Sequence, residues 1–294
     1  MTTPRLLRLL VVLAISCSGF EQIARADEAA GAVEVVSNLP YKAEQGLTGY
    51  EKERCQLDLY LPKGAKAFPS LVWFHGGGMT GGSKEDKSTQ QIARTFAQAG
   101  IAVAVPSYRL SPKATFPAYV EDAAAAFAWA HQQIGARGGD AGRVFIGGHS
   151  AGAYLSSMVA MDGRYLQKLG LDPSAIAGVI PVSGQMMTHF TVRKERGIAE
   201  STVIADEAAP IYYSRKETPH FLILMGDHDW PARLEENQYF AAFQKTLGNA
   251  RVSVQVVPGR NHGSIVGEIG KPGDPVAEAI VRFIKETGAS TLKP

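Results

Sequence analysis

Apolar positions in this chain gather into short unbroken runs. The clearest are Leu71-Val72-Trp73-Phe74, the stretch 101–105, Val144-Phe145-Ile146, the stretch 177–182, and Phe221-Leu222-Ile223-Leu224-Met225-Gly226. Continuous runs of this length suit parallel strands buried on both faces. A further strand is expected over 252–257. Helical stretches alternate with them. One covers 88–99 and ends at Gly100, an Ala-rich amphipathic one covers 119–133, another covers 154–160, and the last covers 275–287. Strands alternating with helices predict an α/β fold with a doubly wound, mostly parallel sheet. At 294 residues and 45% hydrophobic content, one large α/β domain is expected. There is no internal repeat and no low-complexity tract.

The junction of the 144–146 strand with the helix after it reads Gly148-His149-Ser150-Ala151-Gly152. In a strand–turn–helix context, G-x-S-x-G makes a turn so tight that the residues flanking the serine at a distance of two must be small. The serine is forced into a strained conformation with its hydroxyl clear of the backbone. The helix N-terminus adds free N–H groups and a positive dipole end at the same spot. A serine so placed can attack a carbonyl carbon.

Three further features fall in the order that such chemistry needs. His75-Gly76-Gly77-Gly78 directly follows the first apolar run. Glycines let backbone N–H groups approach an oxygen closely, so Gly77 and Gly78, with the N–H of Ala151, are expected to hold a developing oxyanion. A phosphate loop is excluded, because Gly82-Ser83-Lys84 reverses the Ser and Lys of that motif. Asp227-His228-Asp229-Trp230-Pro231 follows the 221–226 run. Two aspartates compete there to orient a histidine. Asp229, third after the strand-terminal glycine, is favoured; Asp227 reads as bonding the loop backbone in an Asx-type turn. Of the seven histidines, only His262 follows the last strand and completes the order Ser…Asp…His.

With these motifs the chain resembles an α/β-hydrolase of the carboxylesterase type. It is similar to the hormone-sensitive-lipase-like esterases and to the bacterial feruloyl-esterase and kynurenine-formamidase-like groups. The likeness covers residues 55–284 and includes the lipase-type His75 before the glycine run. It also includes Leu57-Asp58-Leu59-Tyr60-Leu61-Pro62, Tyr108-Arg109-Leu110-Ser111-Pro112 and Phe116-Pro117-Ala118. Arg109, Asp122, Asp140 and Arg143 read as ion-pair or capping scaffold. The resemblance implies an α/β-hydrolase fold with a small cap insertion and a catalytic triad of Ser150, His262 and Asp229. It further implies an acyl-enzyme mechanism on small to medium esters. The same triad would serve an amide hydrolase, either an aryl formamidase or a small peptidase. A non-catalytic binding protein would be expected to have lost a triad or oxyanion residue, and this chain keeps them all. His149 stands where many hormone-sensitive-lipase-like esterases carry an acid, and Met79 where an aromatic is frequent.

The segment 185–218 is longer than an ordinary connection. Met186, Met187 and Phe190 suit a lid lining a substrate pocket. A solvated surface helix is the alternative. Arg193, Lys194 and Arg196 could meet a carboxylate-bearing substrate or could form a wet face.

The N-terminus carries Arg5 and Arg8, an apolar stretch too short to span a bilayer, and Ala24-Arg25-Ala26, a cleavage signature. Residues 1–26 are therefore expected to be a signal peptide and 27–294 a periplasmic or secreted domain with no stable membrane anchor. A lipoprotein-type signal ending at Cys17 is the weaker alternative. The segment 1–26 holds all of the +2 net charge, so nothing argues for nucleic acid. With Cys17 removed, Cys55 has no partner for a disulfide and is expected as buried filler in a strand. No H-E-x-x-H and no Cys-x-x-Cys occurs, so no metal and no cofactor is implied. The expected partner is a small-molecule ester. Natural substrate and oligomeric state are not readable.

Overall fold

The computed structural model describes residues 31–42 and 45–287. The expected signal segment, with Cys17, lies outside them. Eight strands form one sheet in the order β1-β2-β4-β3-β5-β6-β7-β8. They are β1 (Val33–Pro40), β2 (Gln56–Pro62), β3 (Phe68–Phe74), β4 (Ala102–Pro106), β5 (Gly139–His149), β6 (Gly178–Val182), β7 (His220–His228) and β8 (Val252–Asn261). Strands β3 to β8 run parallel, and β1 and β2 join antiparallel at one edge.

The unbroken apolar runs have a simple cause. Side chains alternate across a strand, so a strand covered on both sides needs apolar residues at every position. Val72 and Phe74 of β3 enter one core, and Leu71 and Trp73 enter the other. In β7, Phe221, Ile223 and Met225 face the first core while Leu222 and Leu224 face the second. The first core is covered by α3 (Ala118–Gln133), α4 (Ala151–Met161) and α7 (Arg233–Thr246). The second is covered by α2 (Lys87–Gln98), α8 (Ser264–Gly267) and α9 (Pro275–Glu286). A short helix, α1 (Gly49–Arg54), opens with a Thr48–Glu51 capping box before β2. Two more short helices, α5 (Arg164–Gln167) and α6 (Phe190–Glu195), complete the set described.

Four expectations need correction. Helix α3 is not amphipathic: Tyr119, Val120 and every residue from 122 to 128 are buried, because the helix is wedged between the sheet and α4. Strand β7 does not end at Gly226. Its pairing with β8 resumes after a register shift at His228–Asn261, so Asp227 lies in the strand and not in an Asx-type turn. Asp227 pairs with the exposed His228 ring at 2.8 Å. Cys55 is buried as expected, but it caps α1 rather than lying in a strand.

Of the scaffold charges, Arg109 and Asp122 pair as suggested and Arg143 donates to the Ile284 carbonyl near the end of α9, whereas Asp140 makes no ion pair and only accepts Gly142 N–H. Asp122, fully buried, accepts the backbone N–H, Nε and Nη2 of Arg109, and Lys42 Nζ reaches it too. This holds the chain after β4 onto α3. Removing one member of a buried ion network leaves the others uncompensated. Asp122→Ala is therefore expected to lower unfolding free energy by about 3–5 kcal/mol, read from urea titrations. A loss below about 1 kcal/mol would mean that water already screens the cluster.

Candidate active site

Strands β3, β5, β7 and β8 deliver their following loops to one edge of the sheet, where ligands bind in open α/β folds. Ser150 stands between β5 and α4 with φ 55° and ψ −115°. That backbone is strained for a residue with a Cβ. The neighbouring glycines explain why the turn must form this way. A Cβ on Gly152 would lie 2.1 Å from the Phe74 carbonyl oxygen, and one on Gly148 would lie 2.6 Å from the same atom. Ser150 N–H donates to Val182 O at 2.9 Å, tying the turn to β6.

His262 follows β8 and Asp229 follows β7. The His262 ring places Nε2 3.0 Å from Ser150 Oγ and Nδ1 2.8 Å from Asp229 Oδ1. A carboxylate only accepts, so Nδ1 carries the proton and Nε2 is free to receive one. Asp229 is almost wholly buried, and burial alone would raise its carboxyl. Hydrogen bonding from the His262 ring and Trp230 N–H outweighs burial and holds it below the usual carboxylate range.

Gly77 and Gly78 adopt φ 103° and 63°, in the region that favours glycine. A Cβ on Gly77 would sit 2.3 Å from Gly81 O, so the loop closes only without one. The N–H groups of Gly77 and Gly78 donate to no backbone acceptor among the described residues. Ala151 opens α4, where the first N–H groups have no acceptor within the helix. The structure thus brings Ser150, His262 and Asp229 into one hydrogen-bonded line, with Ala151 next in the chain after the serine. Asp227 stays outside it. Such a line suits nucleophilic attack on a carbonyl with proton transfer through the imidazole. Among the described residues, no group of three or more His, Cys, Asp or Glu is arranged to hold a metal ion.

Residues 71–266 match the family described as alpha/beta hydrolase fold. The chain belongs to the α/β-hydrolase family. Among curated relatives it is 26% identical to Esterase LipC of Mycobacterium tuberculosis, over 76% of this chain and 60% of that one. It thus spans about three fifths of that relative's length. The fold is shared with the structure of a truncated carbohydrate esterase from gut microbiota, at TM-score 0.69 and 21% identity over 86% of this chain and 96% of that one. It is shared equally with esterase B from Lactobacillus rhamnosis, at TM-score 0.72 and 19% identity over 93% and 96%.

Beyond the motifs, this α/β-hydrolase has site residues that the sequence reading passed over. Trp230 stacks on the His262 imidazole, with centroids 3.6 Å apart and planes at 16°. It stays half exposed, so it shields one face of the ring from water. His149 was only the variable position of the serine motif. Its Nε2 donates to His262 O at 2.7 Å and fixes the backbone of the loop that carries the imidazole. Adjacency to Asp229 and Ser150 was the one available signal for either residue.

The segment 185–218 packs over this edge. Helix α6 buries Thr191, Val192 and Arg193, and Thr191 Oγ1 donates to Gly78 O. Glu195 Oε2 accepts from Phe116 N–H and Tyr119 OH, and Tyr154 OH donates to Ala208 O. On the far side of Trp230, the residue stacked on His262, lies a cleft of about 550 Å³, lined by Met187, Phe190, Arg193, Trp230 and Arg233 among others. Met187 and Phe190 face it as expected. Met186 does not, being fully buried in the first core. Of the three basic residues considered earlier, only Arg193 turns inward. Arg196 is paired with Asp206 and Glu207 at 2.7 Å each, and Lys194 is exposed.

Burial pushes the imidazoles of His75 and His149 down to about 4, below the 6.5 of a free imidazole. Both are neutral in the folded protein at neutral pH. As pH falls from about 7 to about 4, the unfolded chain takes up protons that the folded chain refuses. Stability is therefore full above that window and declines through it. Urea midpoints are expected to drop between pH 7.5 and pH 4.5, and His149→Gln, which keeps a donor for His262 O, is expected to flatten the slope. A midpoint constant over that range would contradict the assigned protonation.

Proposed function

We propose that this protein is a serine carboxylic-ester hydrolase acting on small to medium esters. The observation that carries the reading is the unbroken line Asp229–His262–Ser150, and the N–H groups of Gly77, Gly78 and Ala151, which have no backbone acceptor, are assigned to the oxyanion. The name of LipC, an esterase, agrees with it.

In this reading His262 Nε2 takes the Ser150 proton as Oγ bonds to the ester carbonyl carbon. The carbonyl oxygen becomes an oxyanion held by the three N–H groups, each worth about 3 kcal/mol in such sites. Asp229 stabilises the imidazolium without taking its proton. The tetrahedral intermediate collapses, the C–O bond to the alcohol breaks, and His262 protonates the leaving oxygen. Water then gives a proton to His262 and its oxygen to the acyl carbon, and a second collapse releases the acid and restores Ser150. The motif set of residues 1–26 supports a periplasmic or secreted location.

Ser150→Ala is expected to lower kcat for p-nitrophenyl esters on the order of 10⁶-fold, with KM little changed and the fold intact by circular dichroism. Turnover near wild type would overturn the reading. Asp229→Asn is expected to cost about 10⁴-fold in kcat, whereas Asp227→Asn should leave kcat within about threefold, since that side chain points away from the line. The reverse ranking would exchange the two aspartates. Faster cleavage of aryl formamides or peptides than of matched esters would move the substrate class from ester to amide.

A further inference from the structure

The cleft bordered by Trp230, the ring stacked on His262, holds two guanidinium groups that ester hydrolysis does not itself need. Arg193 and Arg233 are 7% and 8% exposed, and both line the cleft. Other shielded cations of this chain are matched either to buried acids, as Arg109 to Asp122, Lys84 to Asp58 and Arg260 to Asp274, or to two or more carbonyls, as Arg54 and Arg215. These two have no such match. Arg193 donates Nη2 to the Glu200 carbonyl at 2.6 Å, and its buried Nε has no partner. The Arg233 guanidinium makes no hydrogen bond among the described residues and lies 5.6 Å from the centre of the Trp230 ring. That ring is the one stacked on His262.

The local backbone is also arranged at a cost. Arg233 is the first residue of α7, where a cation opposes the helix dipole. Ala232 before it takes φ 63° and supplies no side-chain cap. Burial pushes the Arg233 guanidinium below its ordinary value, Arg193 adds to this, and Glu236 and Asp229 partly offset it. The acids facing the cleft are few. Glu236 spends Oε1 on the N–H groups of Met186 and Met187, Asp229 is engaged by His262, and Glu200 is exposed. Two guanidiniums thus share the cleft with one shielded acid, Glu236, and one exposed acid, Glu200, and neither guanidinium is bonded to a carboxylate among the described residues. Planar guanidinium forks with open N–H donors match a carboxylate.

Resting on the hydrolase reading above, we propose that this cleft takes a carboxylate carried by the substrate, so that the preferred ester is a singly charged anion. The charge would sit either on the acyl side or on the alcohol side of the scissile bond. In both cases Arg193 and Arg233 bind it while Trp230 lies between them and the reacting carbonyl.

The test compares two substrate pairs on the full mature chain. One pair is p-nitrophenyl hemiadipate against p-nitrophenyl hexanoate, with charge on the acyl side. The other is 4-carboxyphenyl butyrate against 4-carbamoylphenyl butyrate, with charge on the alcohol side. Ser150→Ala is run alongside to subtract spontaneous hydrolysis. In the wild type the anionic member of at least one pair is expected to have a kcat/KM at least tenfold higher, mainly through KM. That ratio should shrink with added salt and fall towards one in Arg193→Met and Arg233→Met. The pair that responds identifies the side. No anionic preference in either pair overturns the proposal while leaving ester hydrolysis intact. No Ser150-dependent cleavage of any of the four esters overturns the hydrolase reading instead. If an arginine variant does not fold, the wild-type ratios and their salt dependence still decide, together with inhibition by benzoate measured against benzamide.

Discussion

Everything at the reactive edge depends on how closely the Ser150 turn approaches the end of β3. The Phe74 carbonyl oxygen lies where a side chain on either Gly148 or Gly152 would begin. Only two glycines allow strand β5 to turn into α4 at that distance. The consequence is a serine at φ 55° with its hydroxyl raised towards the loops after β7 and β8. The same contact fixes β3, so the glycine run leaving β3 starts from a determined point beside the serine. A dense, doubly covered sheet holds this strain, since neither β3 nor β5 can move without opening both cores.

Around that turn the ionisable groups are sorted by their surroundings. His75 and His149 are buried with their hydrogen bonds made to carbonyls, not carboxylates, and stay neutral, serving as packed rings and hydrogen-bond donors. His262 instead has Asp229 on one nitrogen and Ser150 on the other. One residue type therefore holds three positions in a small volume, and only the one with a charged partner is set up to move a proton. His75 is further immobilised by stacking on Tyr108, whose hydroxyl donates to His75 O at 2.9 Å.

Most of this was legible in the order of the residues. The three apolar runs preceding Gly76, Gly148 and Asp229 are strands because both faces of the sheet are covered there, whereas β8 before His262 lies at the sheet edge and is only partly buried. What distinguishes Asp229 from Asp227 was less visible, since it depends on a register shift that keeps β7 paired as far as His228. The cleft was least legible. Arg193 and Arg196 are three positions apart, yet one turns inward and the other meets Asp206 and Glu207, a difference set by how α6 rests on Gly78. Arg233 lay in no motif. Its only trace in the sequence was a cation just after Trp230-Pro231-Ala232, where a helix start would ordinarily carry an acid or a capping side chain.

The bond from Thr191 to the Gly78 carbonyl joins the segment that shapes the cleft to the loop whose N–H groups are proposed to hold the reacting oxygen. Recognition and rate are then mechanically linked: a substitution that re-tilts α6 to admit a different ester also re-aims the donors behind Gly78. Variants selected for a new substrate should therefore accumulate changes in both stretches together, and a lid transplanted alone from a relative would arrive with its anchor out of place.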